Sequence, residues 1–235
     1  MRWGGILVLG LLFLAGCNPP RQKAVPPDRP RANGFPPAVP QEGRQSPDER
    51  IPGFEGAVVD SDMTRAEALG GKDFPAAVLA KMEVVKVGYL GFDGKDHQGQ
   101  IVVDRDLAEE VVEIFREIRA SGFPIVKVIP VSAYGWDDQA SIDDQNSSGF
   151  NYRFTIGPGT SKGVLSKHAF GRAIDLNPYQ NPFVAADGKT PRPYIPGGKG
   201  VLDPGSAPVL IFKRHGWTWG GDWKGAKDYQ HFEKK

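Results

Sequence analysis

The sequence predicts an α+β fold, in which a small antiparallel sheet is flanked by helices. Residues 84–92 and 100–103 have the composition of two strands, and Asp93-Gly94 between them is a turn signal typical of a hairpin. Residues 104–120 then show apolar side chains at helical spacing. A chain of 235 residues, with 40% hydrophobic and 24% charged residues, can bury a core of ordinary size.

The remaining elements of the predicted domain are shorter. Residues 73–81 and 206–215 are predicted as short helices, the second ended by a glycine. Residues 124–131 are predicted as a buried strand and residues 150–155 as a further strand. The polar stretch 136–148 contains paired aspartates whose spacing does not match a calcium loop, so a solvated helix or loop is favoured over a metal site.

The N-terminus has the features of a lipoprotein signal peptide. A basic start precedes an apolar run over residues 4–16, which is shorter than the roughly 20 residues that span a bilayer. Leu14-Ala15-Gly16-Cys17 resembles the lipobox of bacterial lipoproteins. The resemblance implies that residues 1–17 hold the signal, with Cys17 lipidated at the start of the mature protein. A buried helix with a free thiol is the alternative.

Cys17 is the only cysteine of the chain. A disulfide within one chain and a cysteine-based zinc site are therefore excluded. Any metal has to be held by histidine, aspartate or glutamate.

Residues 18–55 are predicted to form a disordered tether. Proline recurs throughout this segment and apolar residues are too few to offset the entropy of ordering it. At roughly 3.1 Å per residue, its reach is on the order of 100 Å. The domain, predicted over residues 56–235, would then work in the cell envelope at the periplasmic face of a membrane. Asn18, in place of the aspartate expected for inner-membrane retention, favours the outer membrane.

Two segments carry residues suited to a metal site. His168 and Asp175 lie in one stretch, and Gly171 between them allows a reversal that brings their side chains together. Asp228 precedes His231 by three residues, and both reach one centre if Asp228 lies in a turn leading into a strand. Three nitrogen and oxygen ligands with an open position are typical of a catalytic zinc site. Taken singly, each histidine could also be a hydrogen-bonded core residue.

A carboxylate that lies beside such a ligand set without binding the metal can act as a base. Zinc lowers the pKa of bound water from about 16 to about 7. A carboxylate outside the ligand set, here Asp228, can take the proton of the water and pass it to a leaving amine. A nearby cation can stabilise the developing oxyanion.

The motif Ser-x-His-x-x-Gly-x-Ala-x-Asp, followed by Asp-x-x-His, resembles the zinc D-alanyl-D-alanine carboxypeptidases. These include the vancomycin-resistance D,D-carboxypeptidases and the L-alanyl-D-glutamate endopeptidases. The motif residues are Ser166, His168, Gly171, Ala173, Asp175, Asp228 and His231. The resemblance covers about residues 84–233 and implies a Hedgehog/D,D-peptidase-like fold. It also implies Zn²⁺ bound by His168, Asp175 and His231, with Asp228 as the general base.

The same resemblance implies an arginine that steadies the substrate carbonyl and the transition state. Arg153 occupies its place, although this chain has SGFNYR where many relatives have SGYR. Ser166 is expected to support the metal ligands through a hydrogen bond. A carboxypeptidase also has to capture the free carboxylate of its substrate, for which the candidates are Arg153, Arg172 and Lys162.

Other polar and aromatic residues are less well supported as members of the site. Asp222 is a rival base, ranked below Asp228 because the motif points to the latter. His97 is expected in the hairpin loop, exposed to solvent, and His215 at a helix end, where a cationic imidazole is favoured. Three tryptophans could line a substrate groove or pack in the core: Trp217, Trp219 and Trp223.

The expected function is that of a zinc metallopeptidase that hydrolyses peptidoglycan stem peptides, as a D-alanyl-D-alanine carboxypeptidase. An L-alanyl-D-glutamate endopeptidase is one alternative, and a non-catalytic cell-wall-binding lipoprotein is another. The formal net charge of +1, without a clustered basic helix, argues against a nucleic-acid partner. The expected partners are the stem peptide and, through Cys17, a membrane; the protein is expected to be a monomer.

Overall fold

The computed structural model describes residues 51, 53–155 and 163–235. The predicted signal peptide, Cys17, most of the tether and Lys162 lie outside these residues. The helices of the described part are α1 (Arg65–Leu69), α2 (Ala76–Leu79), α3 (Ala108–Ala120), α4 (Asp138–Asp143) and α5 (Ala207–Arg214). Its strands are β1 (Val58–Val59), β2 (Met82–Gly91), β3 (Asp96–Asp104), β4 (Pro124–Ile125), β5 (Ala173–Asp175), β6 (Phe183–Val184), β7 (Thr218–Trp219), β8 (Lys227–Asp228) and β9 (His231–Glu233).

The strands form three small sheets. The largest has the order β1-β3-β2-β4, with β2 and β3 antiparallel and the two short edge strands parallel to their neighbours. A second sheet, β5-β9-β7, is antiparallel throughout, and β6 pairs with β8. The predicted α+β class, the hairpin and a small antiparallel sheet are therefore confirmed.

The core joins the hairpin to the small antiparallel sheet. The apolar face of α3 is buried, with Val111, Ile114 and Ile118 fully shielded from solvent. Phe212 of α5 stacks on Phe232 of β9, with ring centroids 4.0 Å apart. Fully burying a side chain of this size contributes about 1.5–3 kcal/mol. Since β9 is central in its sheet, this packing fixes the strand that carries His231.

The short helices agree with the sequence, whereas the strand predicted over residues 124–131 is wrong beyond β4. Helices α2 and α5 lie inside the two stretches predicted as short helices, and α4 lies inside residues 136–148, for which a solvated helix or loop is expected. Within 124–131, side-chain amides replace a strand ladder: the backbone N–H of Val126 donates to Asn177 Oδ1 (3.0 Å), and that of Ile129 donates to Asn146 Oδ1 (2.8 Å).

The strand predicted over residues 150–155 is also wrong. Only an isolated bridge between Phe154 and Leu165 forms there. The segment passes from β3 to the turn that precedes β5, so Phe150 N–H donates to Val102 O (2.7 Å) and Asn151 N–H to His168 O (3.2 Å). Partners on two different segments leave no continuous ladder. No helix within the described part of the chain has the length and apolar character needed to cross a membrane.

Candidate metal centre

A tight reversal brings His168 and Asp175 together. The Ser166 hydroxyl accepts the backbone N–H of His168 (3.3 Å) and starts a short 3₁₀ turn, which ends at Gly171 with φ +64°. A Cβ on Gly171 would clash with the backbone nitrogen of Asp104, so glycine is required for both its conformation and its lack of a side chain. The chain then enters β5, and Asp175 Oδ2 lies 3.2 Å from His168 Nε2.

Strand pairing supplies the third side chain. Asp175 of β5 lies directly opposite His231 of β9. His231 Nδ1 is 3.0 Å from Asp175 Oδ1 and 3.3 Å from His168 Nε2. One nitrogen or oxygen of each of the three residues lies within 4.8 Å of the others, and all three residues are buried.

The outer nitrogens of both imidazoles are engaged elsewhere. His168 Nδ1 donates to the carbonyl of Gly149 (2.6 Å), and His231 Nε2 donates to Glu233 Oε2 (3.3 Å). These bonds select the tautomers whose lone pairs face inward, as is usual for histidines that bind metals. Two inward lone pairs beside a carboxylate require a cation between them.

The electrostatics of the cluster support the same conclusion. Burial alone would lower the pKa of His231, but hydrogen bonds with Asp175 and Glu233 outweigh it and raise that pKa to about 10. Burial would raise the pKa of Asp175, but the charges of His168 and His231 hold it far below its usual range. A proton therefore occupies the cluster unless a metal ion replaces it.

The donor set fits zinc. Two imidazole nitrogens and one carboxylate match catalytic zinc sites, which leave a fourth position open. Calcium and magnesium prefer oxygen ligands, so the two imidazoles disfavour them. His168, Asp175 and His231 would hold the ion.

Asp228 is placed beside this cluster by β8, which pairs with β6. The predicted turn follows Asp228 at residues 229 and 230 rather than containing it. Asp228 Oδ1 is buried and has no hydrogen-bond partner among the described residues. Burial, together with the charge of Asp175, raises the pKa of Asp228 to about 6, against the opposing effects of His231, His168 and Arg153. The side chain thus shares the electrostatic environment of all three candidate ligands.

Arg153 lies next to the segment that leads into His168. Its carbonyl accepts the backbone N–H of Ser166 (3.0 Å), and its positive charge lowers the pKa of Asp228. The structure thus places a cation near the candidate base, as the proposed role for Arg153 needs. Ser166 does act on His168, but through the backbone N–H rather than the ring.

Two other polar candidates are bound to partners outside the cluster. Arg172 donates to Asp104 Oδ2 (2.9 Å) and to the carbonyl of Lys235, so its guanidinium already has partners within the protein. The exposed Asp222 forms an ion pair with Lys213 (2.7 Å) and is not one of the converging donors.

Two of the three candidate tryptophans lie in the core, and the third borders the site. Trp217 donates to Glu110 (2.7 Å) and Trp219 donates to the carbonyl of Tyr229 (2.8 Å), and both rings are buried. Trp223 is partly exposed, with its ring centroid 5.4 Å from that of His231. Of the three tryptophans, Trp223 alone borders the candidate metal ligands.

The other two histidines have structural partners. The prediction of a solvated His97 is wrong, because it lies in β3 and contacts Asp60 (2.8 Å) and Asp93 (3.1 Å). His215 follows the last residue of α5, as expected, and contacts Glu117 (3.0 Å).

The sequence analysis missed two groups that hold the imidazoles. Glu233 follows His231 by two residues in a strand, and side chains at that spacing share a face, so this partner could have been found. The Gly149 carbonyl has no sequence signal, because a backbone acceptor can come from any residue.

Replacing Glu233 tests its effect on the metal centre. We expect Glu233→Ala to weaken zinc binding about 10- to 100-fold, because His231 loses the acceptor that fixes its ring. Glu233→Gln, which keeps an acceptor oxygen, should lose less. Competition with a chromogenic chelator measures the affinity. Glu113→Ala, on an exposed glutamate paired with Arg116, is the control, and equal affinities in the Glu233 and Glu113 variants would contradict the prediction.

The comparisons with known proteins point to one peptidase family. The sequence model of the D-alanyl-D-alanine carboxypeptidase family matches residues 159–234, which contain all three candidate ligands and Asp228. No solved structure matches the chain closely enough to count as similar. The match supports a metallopeptidase with a peptidoglycan-derived substrate. The match over residues 159–234 therefore confirms the resemblance to the D-alanyl-D-alanine carboxypeptidase family that the motif carries.

Proposed function

We propose that this protein is a zinc-dependent D-alanyl-D-alanine carboxypeptidase acting on peptidoglycan stem peptides, with a Hedgehog/D,D-peptidase-like fold. One observation carries the proposal. Three buried donor atoms converge within 4.8 Å, beside a buried carboxylate oxygen of Asp228 that has no partner among the described residues. A structural ion pair would satisfy that oxygen, whereas a hydrolytic site leaves it available to a water molecule.

Each group of side chains has a separate role in the proposed hydrolysis. A zinc ion at His168, Asp175 and His231 would polarise the scissile carbonyl and make water nucleophilic near neutral pH. Asp228, with a pKa of about 6, is ionised at neutral pH and can accept a proton from water, then deliver it to the leaving amine. Arg153 offers positive charge to the oxygen that becomes negative in the transition state.

One observation favours the L-alanyl-D-glutamate endopeptidase as the second candidate. A carboxypeptidase has to hold the free carboxylate of its substrate, and Arg172, one of three candidates for that role, is bound to Asp104 and Lys235. Arg153, the other described candidate, is itself paired with Asp138 (3.2 Å), and an endopeptidase needs no such contact. The two activities differ in product, so one digestion distinguishes them.

The proposed location is the cell envelope. The lipobox at Cys17 and the proline-rich residues 18–55 support a monomeric domain tethered to the periplasmic face of a membrane, with the outer membrane favoured by Asn18. Metabolic labelling with an alkyne fatty acid tests the anchor. Labelling that persists in Cys17→Ser would contradict lipidation at this residue.

Digestion of purified muropeptides tests the function. Zinc-loaded protein is incubated with pentapeptide muropeptides, and mass spectrometry identifies the products. Release of D-alanine is the expected result, and a chelator should abolish it. Cleavage between L-alanine and D-glutamate would instead identify the protein as an L-alanyl-D-glutamate endopeptidase. An absence of any product, with retained binding to sacculi, would overturn both and favour the wall-binding lipoprotein.

A further inference from the structure

The guanidinium of Arg153 lies against one carboxylate. Arg153 Nε is 3.2 Å from Asp138 Oδ1, and no other carboxylate of the described residues comes within ion-pair distance of this arginine. Nε makes no aligned hydrogen bond within the same part of the chain, so the contact is a close ion pair. Both side chains are less than a third exposed, at 21% and 29%, and solvent screens such a pair less than one on the surface.

Asp138 is itself held in place. It is the first residue of α4, directly after Asp137, whose side chain caps the helix by accepting the N–H of Ala140 (3.1 Å). The buried Asn151 donates from Nδ2 to Asp138 Oδ1 (3.0 Å), and its backbone N–H donates to His168 O (3.2 Å). Asp138 is therefore connected through a single buried residue to the turn that carries a candidate metal ligand.

Arg153 is thus held at its backbone and at its guanidinium. Its backbone is bound to Ser166, and its Nε is paired with Asp138. A free arginine side chain has about 2 kcal/mol of rotamer entropy, which a productive contact would otherwise have to overcome. Charges stabilise a transition state best when they are already oriented before the reaction begins.

We propose that Asp138 is a positioning residue, which orients the guanidinium of Arg153 toward the substrate carbonyl. The proposal rests on the proposed function, because it assumes that Arg153 contacts the substrate. Asp138 acts only through Arg153, so its effect on turnover should require the arginine.

A double-mutant cycle tests this dependence. We expect Asp138→Asn to lower kcat about 10- to 100-fold with little change in KM, because the lost interaction acts in the transition state. In an Arg153→Ala background the same substitution should change kcat less than about twofold. Zinc affinity and the thermal midpoint are measured in each variant and should stay near the wild-type values. Asp143→Asn, which removes a charge at the other end of α4 and contacts Arg192, is the matched control.

Two outcomes of the cycle would overturn the proposal: an equal loss of kcat in both backgrounds, or no loss in either. An activity-independent measurement separates its failure from that of the proposed function. In protein with ¹⁵N-labelled arginine, the Nε–Hε signal of Arg153, assigned by its loss in Arg153→Ala, should move in Asp138→Asn and not in Asp143→Asn. An unmoved signal overturns the positioning role even if the enzyme is active. A moved signal in a protein that cleaves no muropeptide refutes the peptidase function and leaves the Asp138–Arg153 contact standing.

Discussion

We expect Asp228→Asn to lower kcat/KM for the cleaved muropeptide about 10²- to 10⁴-fold, the range for loss of a general base. Asparagine has nearly the same size but cannot take a proton from water. Because Asp228 is not one of the three converging ligands, the variant should bind zinc as the wild type does. Steady-state kinetics and metal analysis of the same preparation measure both properties.

Asp222→Asn is the matched control for this experiment. Asp222 lies six residues earlier in the chain, is exposed, and pairs with Lys213 on α5. Its replacement should change kcat/KM by less than about twofold, as is usual for surface substitutions. If Asp228→Asn kept full activity, or lost its zinc, Asp228 would not be the base that we propose.

Asp228→Asn should also stabilise the zinc-free protein. Burial and the Asp175 carboxylate raise the pKa of Asp228 to about 6, from an ordinary value of 3.8, so folding disfavours its ionised form. A difference of one in pKa corresponds to about 1.4 kcal/mol, which gives a destabilisation of about 3 kcal/mol at neutral pH. Asp228→Asn removes this charge and should raise the free energy of unfolding by about that amount.

The pH dependence of this gain has a definite sign. Well below pH 3.8, Asp228 is protonated in both the folded and the unfolded chain, so the gain should vanish. Between pH 4 and pH 6 the unfolded chain ionises first, and the wild type loses stability relative to the variant. Urea unfolding at several pH values measures the difference, with Asp222→Asn as the control. If the gain in the free energy of unfolding of Asp228→Asn did not change with pH, or became a loss, Asp228 would not be a buried, unpaired carboxylate.

The candidate ligands could be predicted because their signal is local. Gly171, with φ +64°, closes a turn within one short motif, and the register of β5 on β9 then sets Asp175 opposite His231. The placement of Arg172 also has a local cause that the sequence shows. Arg172 and Asp175 are three residues apart along an extended segment, and side chains at that spacing face opposite sides of a strand.

The contacts that complete the site could not be predicted because they come from irregular backbone. The apolar spacing of residues 124–131 is typical of a strand, but Asn146 and Asn177, distant in the sequence, bind the backbone there instead. The departure from the SGYR pattern has a similar explanation. Phe150 is buried in the core and Asn151 bonds to Asp138, so the residues that shift the spacing connect α4 to the metal centre.

Zinc titration of the wild type and of four histidine variants tests the central claim most directly. The protein contains four histidines, so the set is complete. We predict that the wild type binds a single zinc ion, that His168→Ala and His231→Ala lose it, and that His97→Ala and His215→Ala keep it. Wild-type affinity in His168→Ala or His231→Ala, or its loss in His97→Ala or His215→Ala, would contradict the account.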